Sequence, residues 1–328
     1  MFKEKKIMFL IAETPVHAGS GSGIGVIDLP IQRERHTDFP KIESSGLKGC
    51  LRDAFKDSGV GQTIINAIFG PENSGDYAGA MAITDARILL FPVKSLKGVF
   101  AWITCPMVIE RFVRDVMMID KNTKSENPAN ESQFPIRAFA SLVKDDKSQK
   151  AKITSICGVL INSGNSKKIV LEEFSIEVKD SESKEVDGVA GWLSENVLPS
   201  DSFYEFWRSK LNKDLVVVDD DTFAQFVSNS TEVVTRVRIS DETGTAEGGG
   251  LWTEEYLPQD TILYSLVMFR NARNSSAQSE GNSTLCSTFV SKLSEIRVIQ
   301  VGGNATTGKG FVRVNFYPHQ NQNKHQNQ

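Results

Sequence analysis

Paired cysteines are missing from this sequence, and their absence argues against two kinds of small, cross-linked site. The four cysteines, Cys50, Cys105, Cys157 and Cys286, are widely separated, and none stands in a C-x-x-C pair. A zinc site of the usual spacing and a disulfide framework both need closer or paired cysteines. We therefore expect four buried free thiols, and the 40% hydrophobic content over 328 residues is ample for the core that would bury them.

Long hydrophobic runs are missing as well. No apolar run approaches the ~20 residues that a membrane-spanning helix needs. The N-terminal run in MFKEKKIMFLIAETP is short, is interrupted by Glu13 and Pro15, and is followed by no small-residue cleavage site. We interpret it as the first strand of a soluble, cytoplasmic protein that has no membrane partner.

The chain has no overall excess of positive charge, although its charges are unevenly distributed. The formal net charge is −4, which is the wrong sign for a protein that binds nucleic acid over its whole surface. Residues 172–221 contain 14 acidic and 5 basic side chains, a balance of −9, so the rest of the chain carries +5. The remaining sequence can therefore still present a basic face to phosphate groups.

Histidine is scarce, and complete nucleotide-binding motifs are absent. His17, His36, His319 and His325 are the four histidines, and a lone histidine is more often structural than catalytic. The glycine-rich loop at 19–25 lacks the third glycine of a dinucleotide fingerprint, because Val26 stands at that position.

The second glycine-rich loop also falls short of a nucleotide-binding motif. Gly303, Gly308 and Lys309 match most of a P-loop, but Gly310 replaces the Ser or Thr that binds magnesium. The strand-like FVRVNFY follows where a P-loop needs a helix. Two interpretations remain: a loop that brings backbone N–H groups and Lys309 to an RNA phosphate, or a tight hairpin between two strands.

Residue periodicity predicts an α+β protein. Leu47, Leu51, Ala54 and Phe55 recur at helical spacing, with Ser44 or Ser45 as the N-cap. Further helices are predicted over 107–119 and 284–294, an exposed loop over 121–135, a long β-hairpin with a mobile tip from Thr231, and a disordered tail over 319–328. Strands are predicted over 6–16, 79–93, 99–106, 261–269, 295–301 and 311–317. This order fits a ferredoxin-like or RNA-recognition type of core.

The segment from Asp28 to Pro40, DLPIQRERHTDFP, combines extended character with charge. If it is extended, alternation places Arg33 and Arg35 on one face, where Lys41, Lys48 and Arg52 could help to follow a phosphate chain. The alternative is a solvated strand with Arg–Glu pairs, which the residue types alone slightly favour.

Two long blocks of sequence carry a family resemblance. HAGSGSGIGVIDLPIQRERHTDFPKIESSGLKG (17–49) and GGGLWTEEYLP (248–258) closely resemble the backbone RAMP subunit of type III-B, or Cmr-type, CRISPR complexes. The loop GGNATTGKG (302–310) resembles the glycine-rich loop of RAMP proteins generally. The resemblance covers 1–60 and 231–318 well and 120–230 weakly.

The resemblance implies an elaborated ferredoxin-like palm with insertions and a long thumb hairpin. It implies one palm over 1–318, with a variable insert at about 120–230 and the thumb hairpin with its following strand at 231–256. Family members stack along a guide RNA, and each cuts the target RNA opposite a base that its thumb displaces. The partners implied are a CRISPR guide RNA, a single-stranded target RNA, further copies of the chain and other Cmr subunits.

The resemblance also assigns roles to residues. It places the cleavage carboxylate at Asp28, as a base or as the holder of a loosely bound divalent metal, expected to be Mg²⁺. His17, Glu254 and Tyr256 match positions near the scissile phosphate. Phosphate contacts are predicted at Arg33, Arg35, Lys48, Gly303, Gly308 and Lys309. A guide-RNA scaffold without catalysis is the alternative, and the presence of Asp28 in its motif favours the nuclease.

Overall fold

The computed structural model describes residues 2–23, 25–73, 77–119, 134–143, 149–164, 166–179, 183–272 and 281–318. The predicted loop at 121–135 falls mostly outside these ranges, and the predicted tail at 319–328, with His319 and His325, falls wholly outside them.

Strands and helices alternate along the chain. The strands are β1 (Glu4–Ala12), β2 (Lys41–Ile42), β3 (Met81–Ile83), β4 (Ala86–Lys94), β5 (Phe100–Thr104), β6 (Ala151–Ile153), β7 (Ile161–Ser163), β8 (Ser166–Leu171), β9 (Phe174–Lys179), β10 (Leu215–Val217), β11 (Glu232–Ile239), β12 (Ala246–Tyr256), β13 (Ile262–Phe269), β14 (Val298–Gln300) and β15 (Phe311–Tyr317). The helices are α1 (Ser44–Asp57), α2 (Gln62–Phe69), α3 (Pro106–Ile119), α4 (Ile136–Val143), α5 (Ser183–Asn196), α6 (Glu205–Asp214), α7 (Asp220–Asn229) and α8 (Asn282–Ile296).

An antiparallel sheet forms the centre of the fold. Its middle strand is β1, which pairs with β15 on one side and with β13 on the other, and β13 pairs in turn with β4. All six residues from Ile7 to Ala12 are buried, because β1 is covered on both faces. The helices α1 and α8 pack together on this sheet, where Phe55 stacks on Phe289 with ring centroids 5.5 Å apart.

The segment between β4 and β11 extends the same sheet. Beyond β4 the strand order is β5, β10, β6, β9, β8 and β7. Its helices share a core with the central strands. The ring centroid of Phe112 in α3 lies 5.0 Å from that of Tyr264 in β13 and 5.8 Å from that of Trp192 in α5. The part at about 120–230 was expected to be a variable insert. Within it, Trp192 of α5 packs on Tyr317 of β15, with ring centroids 5.0 Å apart.

The predicted β-hairpin is present and stands apart from the main sheet. Strands β11 and β12 pair with each other as a separate two-stranded sheet, with a register shift between Val237 and Ile239. Val237, Ile239 and Leu251 are exposed on it. Since a lone two-stranded hairpin is marginally stable in water, its root must be fixed by the rest of the chain.

Two local predictions were wrong. Neither Ser44 nor Ser45 is the N-cap of α1; Glu43 takes that position without a side-chain cap, and Asp85 Oδ1 accepts from the Ser44 N–H at 2.9 Å instead. The strand predicted over 295–301 begins only at Val298, because α8 continues to Ile296 and Arg297 turns the chain with φ 63°.

The cysteine and membrane predictions can be compared with the same residues. All four cysteines are free thiols; Cys105 and Cys286 are buried, whereas Cys50 and Cys157 are half-buried. Burial raises the pKa of each of them. Within the described ranges, no helix is both long enough and apolar enough to span a bilayer.

Candidate functional site

The candidate site is built around the root of the hairpin. Successive side chains of β12 point to opposite faces of the strand, so this strand contacts two different segments. Thr253 and Glu255 contact the segment that runs from Asp28 to Arg33. Glu254 and Tyr256 contact the glycine-rich loop through Asn304. Two stretches that are far apart in sequence are thus joined by four consecutive positions of one strand, Thr253 to Tyr256.

Asp28 lies exposed at the edge of β12. Its Oδ2 accepts from the Thr253 backbone N–H at 2.8 Å and from the Thr253 hydroxyl at 2.9 Å. Leu29 continues the contact, since its N–H donates to the Thr253 carbonyl at 3.0 Å. The Thr253 backbone N–H, and then its hydroxyl, lower the pKa of Asp28, which is therefore a carboxylate at neutral pH.

Arg33 points inward. Its guanidinium pairs with the buried Glu255 at 2.5 Å and donates to the carbonyls of Asp38 at 2.9 Å and Val227 at 3.1 Å. The prediction that Arg33 and Arg35 share one face of an extended segment was wrong. The chain turns at residues 35–37, where the Asp38 N–H bonds back to the Glu34 carbonyl at 2.8 Å, and this leaves Arg35 exposed.

Glu254 is buried and surrounded by hydrogen-bond donors. Its Oε2 accepts from the Tyr256 hydroxyl, from Asn304 Nδ2 at 2.9 Å and from Arg236 Nε at 3.2 Å. Its Oε1 accepts from Trp252 Nε1 at 2.8 Å. Burial alone would raise the pKa of Glu254, but the bonds from Tyr256, Trp252 and Arg236 outweigh it and lower that pKa.

Tyr256 completes this network. Its hydroxyl accepts from Asn304 Nδ2 at 2.8 Å and from Arg236 Nη2 at 3.0 Å while it donates to Glu254. Burial, and then the adjacent Glu254, raise the pKa of Tyr256. The hydroxyl therefore keeps its proton at neutral pH and links the hairpin root to the loop that carries Asn304.

His17 lies beside the same network. Its Nδ1 is 2.7 Å from the Glu255 carbonyl, and its ring centroid is 5.4 Å from that of Tyr256. The His17 residue is half-buried, and the backbone carbonyl of His17 accepts from the Gly303 N–H at 2.9 Å. Because the Glu255 carbonyl can only accept, Nδ1 carries a proton and donates it to that oxygen.

The glycine-rich loop at 302–310 approaches His17 closely. A Cβ on Gly302, where φ is +83°, would lie 2.2 Å from the His17 carbonyl oxygen, so a side chain cannot fit there. A Cβ on Gly310 would lie 2.2 Å from the Val301 carbonyl oxygen, which explains why Ser or Thr is absent at this position. The loop leads into β15, a strand, as expected from the argument against a P-loop.

Lys309 lies at the site, whereas the Lys48 ammonium lies against β3, 3.5 Å from the Met81 carbonyl. The Lys309 ammonium lies 5.0 Å from the centre of the Tyr256 ring. Lys48 is half-buried on α1, and burial followed by the charges of Arg52 and Arg270 lowers the pKa of Lys48. Helix α1 lies beside the strand that leads into the glycine-rich loop, since Cys50 and Asp53 line one cleft with Ile299 and Gln300.

Comparison with known proteins identifies this architecture. The sequence profile of the RAMP superfamily matches residues 9–313. The chain belongs to the RAMP superfamily. It is 38% identical over 305 residues to the CRISPR system Cmr endoribonuclease Cmr4 of Pyrococcus furiosus, a match that covers 92% of each chain.

Solved RAMP structures agree with the fold. The crystal structure of oligomeric Cmr4 from Pyrococcus furiosus is similar with a TM-score of 0.68 and 30% identity, covering 96% of this chain and 98% of that one. A chain of the cryo-EM structure of the type III-B Cmr-beta bound to cognate target RNA has a TM-score of 0.69 at 21% identity, with the same coverage. At that identity the second likeness supports the fold alone.

The donors of this RAMP chain do not form a closed metal cage. Among the described residues, no group of three or more His, Cys, Asp and Glu side chains comes together as a possible metal site. Glu254 is enclosed by its own donors. Asp28 is exposed and ionised, so it fits an ion that is shared with an RNA phosphate, as Mg²⁺ commonly is.

Sequence reasoning missed three residues of this RAMP site: Thr253, Asn304 and Arg236. Asn304 adopts a left-handed conformation with φ 64° inside a glycine-rich loop, and an asparagine among such glycines is a recognisable signal. Thr253 lies within the motif LWTEEYLP, whereas Arg236 reads as one charge of an alternating strand. The partners of all three lie elsewhere in the chain, so the local pattern does not show what Thr253 and Arg236 contact.

Proposed function

We propose that this chain is a guide-RNA-binding backbone subunit of a type III-B CRISPR effector complex and that it cuts the complementary target RNA at regular intervals. The named activity of its 38% identical relative, a Cmr endoribonuclease, supports the reaction. The oligomeric form of the solved relative supports further copies of the chain as partners, and the relative's place in a Cmr system supports other Cmr subunits. We place it in the cytoplasm, where such a complex meets its RNA.

The strand order supports a ferredoxin-like palm. In such a fold, two βαβ halves give an antiparallel sheet in the order 4-1-3-2. Here β15, β1, β13 and β4 lie side by side in that order, with α1 and α2 between β1 and β4 and with α8 between β13 and β15. The hairpin β11–β12, which enters between β4 and β13, is the proposed thumb.

The proposed RNA-binding surface contacts the backbone rather than the bases. Lys309, Lys48 and the exposed Arg35 supply positive charge, and Gly303 and Gly308 allow close approach of the loop. Arg33, whose guanidinium is already bonded to Glu255, acts from beneath by fixing the segment that carries Asp28. Backbone contacts suit a protein that must accept any guide sequence.

Cleavage needs little covalent chemistry from the protein, because RNA carries its own nucleophile. The 2′-hydroxyl must line up with the phosphorus and the leaving 5′ oxygen, and a displaced base permits that geometry. Asp28 is proposed to take the hydroxyl proton or to hold a divalent metal, and a bound Mg²⁺ would neutralise phosphate charge. His17 is proposed to contact the phosphate or supply a proton, while Glu254 and Tyr256 position the strand.

One observation carries this proposal: the exposed, ionised Asp28 is bound to the root of the hairpin, and the same root holds His17 and the glycine-rich loop. An alternative is a scaffold that binds guide RNA without cutting. The two functions differ in whether a carboxylate on this surface is needed for cleavage but not for binding.

The deciding experiment measures target-RNA cleavage by the assembled complex with wild-type chain, Asp28→Ala and Asp28→Asn. Guide and target binding are measured in parallel, and Asp53→Ala, at an exposed aspartate of α1, is the matched control. We expect the regular cuts to vanish in both Asp28 variants while binding persists. If the cuts remain, the chain is a scaffold or cuts from another residue.

A further inference from the structure

Thr253 touches the proposed cleavage carboxylate with both its backbone and its side chain. Its backbone N–H and its hydroxyl both donate to Asp28 Oδ2, at 2.8 and 2.9 Å. The Asp28 N–H donates back to the Thr253 hydroxyl oxygen at 3.0 Å. The hydroxyl therefore donates and accepts within one closed set of three hydrogen bonds, which fixes its rotamer together with that of the carboxylate.

This contact couples the carboxylate to the hairpin, because Thr253 belongs to β12. Two residues further along the same face, Glu255 accepts from the Ile31 N–H at 3.0 Å and pairs with Arg33. The Leu29 carbonyl also accepts from the Glu255 N–H at 3.0 Å. The segment from Asp28 to Arg33 is thus laid along the hairpin strand, and Asp28 lies at its exposed end.

We propose that Thr253 is a positioning residue that holds the Asp28 carboxylate in register with the hairpin. The cut in the target RNA then falls at a constant distance from the base that the hairpin displaces, because one strand sets both positions. This inference rests on the proposed function. It assigns Thr253 a role that acts through Asp28 and requires no contact between Thr253 and RNA.

The hydroxyl can be separated from the backbone contact. Thr253→Val removes the hydroxyl but keeps a β-branched side chain of similar shape, so strand propensity is retained. Thr253→Ser restores a hydroxyl on a smaller side chain. The backbone N–H bond to Asp28 persists in both variants, so the two together isolate what the hydroxyl contributes.

The cross-strand neighbour supplies a matched control. Thr235 of β11 pairs directly with Thr253, and it is an exposed threonine on the same hairpin. Thr235→Val therefore makes the same chemical change one strand away, at a side chain that makes no hydrogen bond to Asp28. Any general effect of removing a hydroxyl from the hairpin appears in this variant too.

The test compares the single-turnover cleavage rate, the cut positions and the target affinity of the assembled complex with each variant. With target RNA saturating, we expect Thr253→Val to slow cleavage about tenfold or more, since a carboxylate displaced by a fraction of an ångström loses alignment. Thr253→Ser should recover most of the rate, target affinity should stay at the wild-type value, and Thr235→Val should cut normally.

The possible results separate this inference from the function beneath it. If Asp28→Ala abolishes cutting but Thr253→Val cuts at the wild-type rate, the function stands and the positioning role is wrong. If Thr253→Val lowers target affinity and rate together and serine gives no rescue, the hydroxyl only stabilises the hairpin. If Asp28→Ala itself cuts normally, both the site and the positioning role are overturned.

Discussion

Asp260 shows how strongly the place of a single residue changes its chemistry. It turns the chain between β12 and β13 with φ 68°, its N–H donates to the Ala12 carbonyl at 2.8 Å, and its own carbonyl accepts from Trp102 Nε1 at 2.8 Å. Burial, and then the nearby charge of Glu13, raise the pKa of Asp260 to about 6, against a lowering effect of Lys210. Its backbone hydrogen bonds stabilise the fold, whereas ionisation of its partly buried carboxyl destabilises it.

Asp260→Asn should therefore stabilise the protein at a pH where the carboxyl is ionised. The folded-state pKa of about 6 lies above the ordinary value of 3.8. The contribution of the protonated Asp260 carboxyl to the free energy of unfolding is therefore complete below pH 3.8 and is lost as the pH rises through 6. After allowance for solvent screening, we expect a gain of about 1 kcal/mol in unfolding free energy at about pH 8 and almost none at about pH 4. Asparagine tolerates the positive φ.

Denaturant unfolding of the two proteins at both pH values checks this result. Asp241→Asn, at an exposed aspartate of the hairpin tip, is the matched control and should show no pH-dependent gain. An equal effect of Asp260→Asn at both pH values would mean that the carboxyl does not change its pKa on folding.

At the scale of elements, helix α1 depends on a residue outside itself. Its first turn has no side-chain cap and no acidic residue, yet its Ser44 N–H is satisfied by Asp85 Oδ1 at 2.9 Å. Asp85 Oδ2 also accepts from Lys41 at 3.0 Å. The helix carries Lys48, so this remote cap fixes part of the proposed RNA-binding surface.

Asp85→Ala should lower the unfolding free energy by roughly 1 kcal/mol at neutral pH, because a helix N-terminal N–H loses its acceptor. Burial opposes ionisation of Asp85, but the bonds from Ser44 and Lys41 lower its pKa below 3.8, so the stabilisation is present above that value and is lost at more acidic pH. Thermal or denaturant unfolding measures it. The control, Ser45→Ala, should change the free energy of unfolding little. An equal loss in that variant would mean that the helix is capped by its own serines.

At the scale of the whole molecule, charge is separated along the chain. The described residues of the acidic segment at 172–221 form strands β9 and β10 of the extended sheet, helices α5 and α6, and the start of α7. The hairpin root, the Asp28 segment and the glycine-rich loop all come from the rest of the chain, which carries +5 when the segment's −9 is set against the total of −4. A negative total charge is therefore compatible with an RNA-binding surface.

A backbone subunit that stacks head to tail should self-associate without closing into a ring. Each copy then presents two different complementary faces, so further copies can bind at either end of the assembly and its length is not limited. We expect sedimentation velocity to show species that grow with protein concentration, and guide RNA to favour defined longer assemblies. A strictly monomeric protein at high concentration, with and without guide RNA, would contradict the stacking arrangement.

The sequence predicted the elements better than their ends or their partners. Helix α3, helix α8 and the long hairpin follow directly from periodicity, because burial of one face selects apolar residues at fixed spacing. The cap of α1 was missed because Asp85 is 41 residues away from Ser44. Arg35 was misplaced because charged residues alternate in a turn as readily as in a strand.

The sequence by itself determined the family, the elements of the central sheet and the identity of Asp28, His17, Glu254 and Tyr256 as candidates, since these depend on motifs and on local spacing. Only the tertiary structure decided which of them are exposed. Asp28 meets Thr253 across 225 residues of sequence, and Glu254 meets Asn304 across 50. Such contacts leave no local signal, because hydrogen bonding and burial depend on distance in space rather than along the chain.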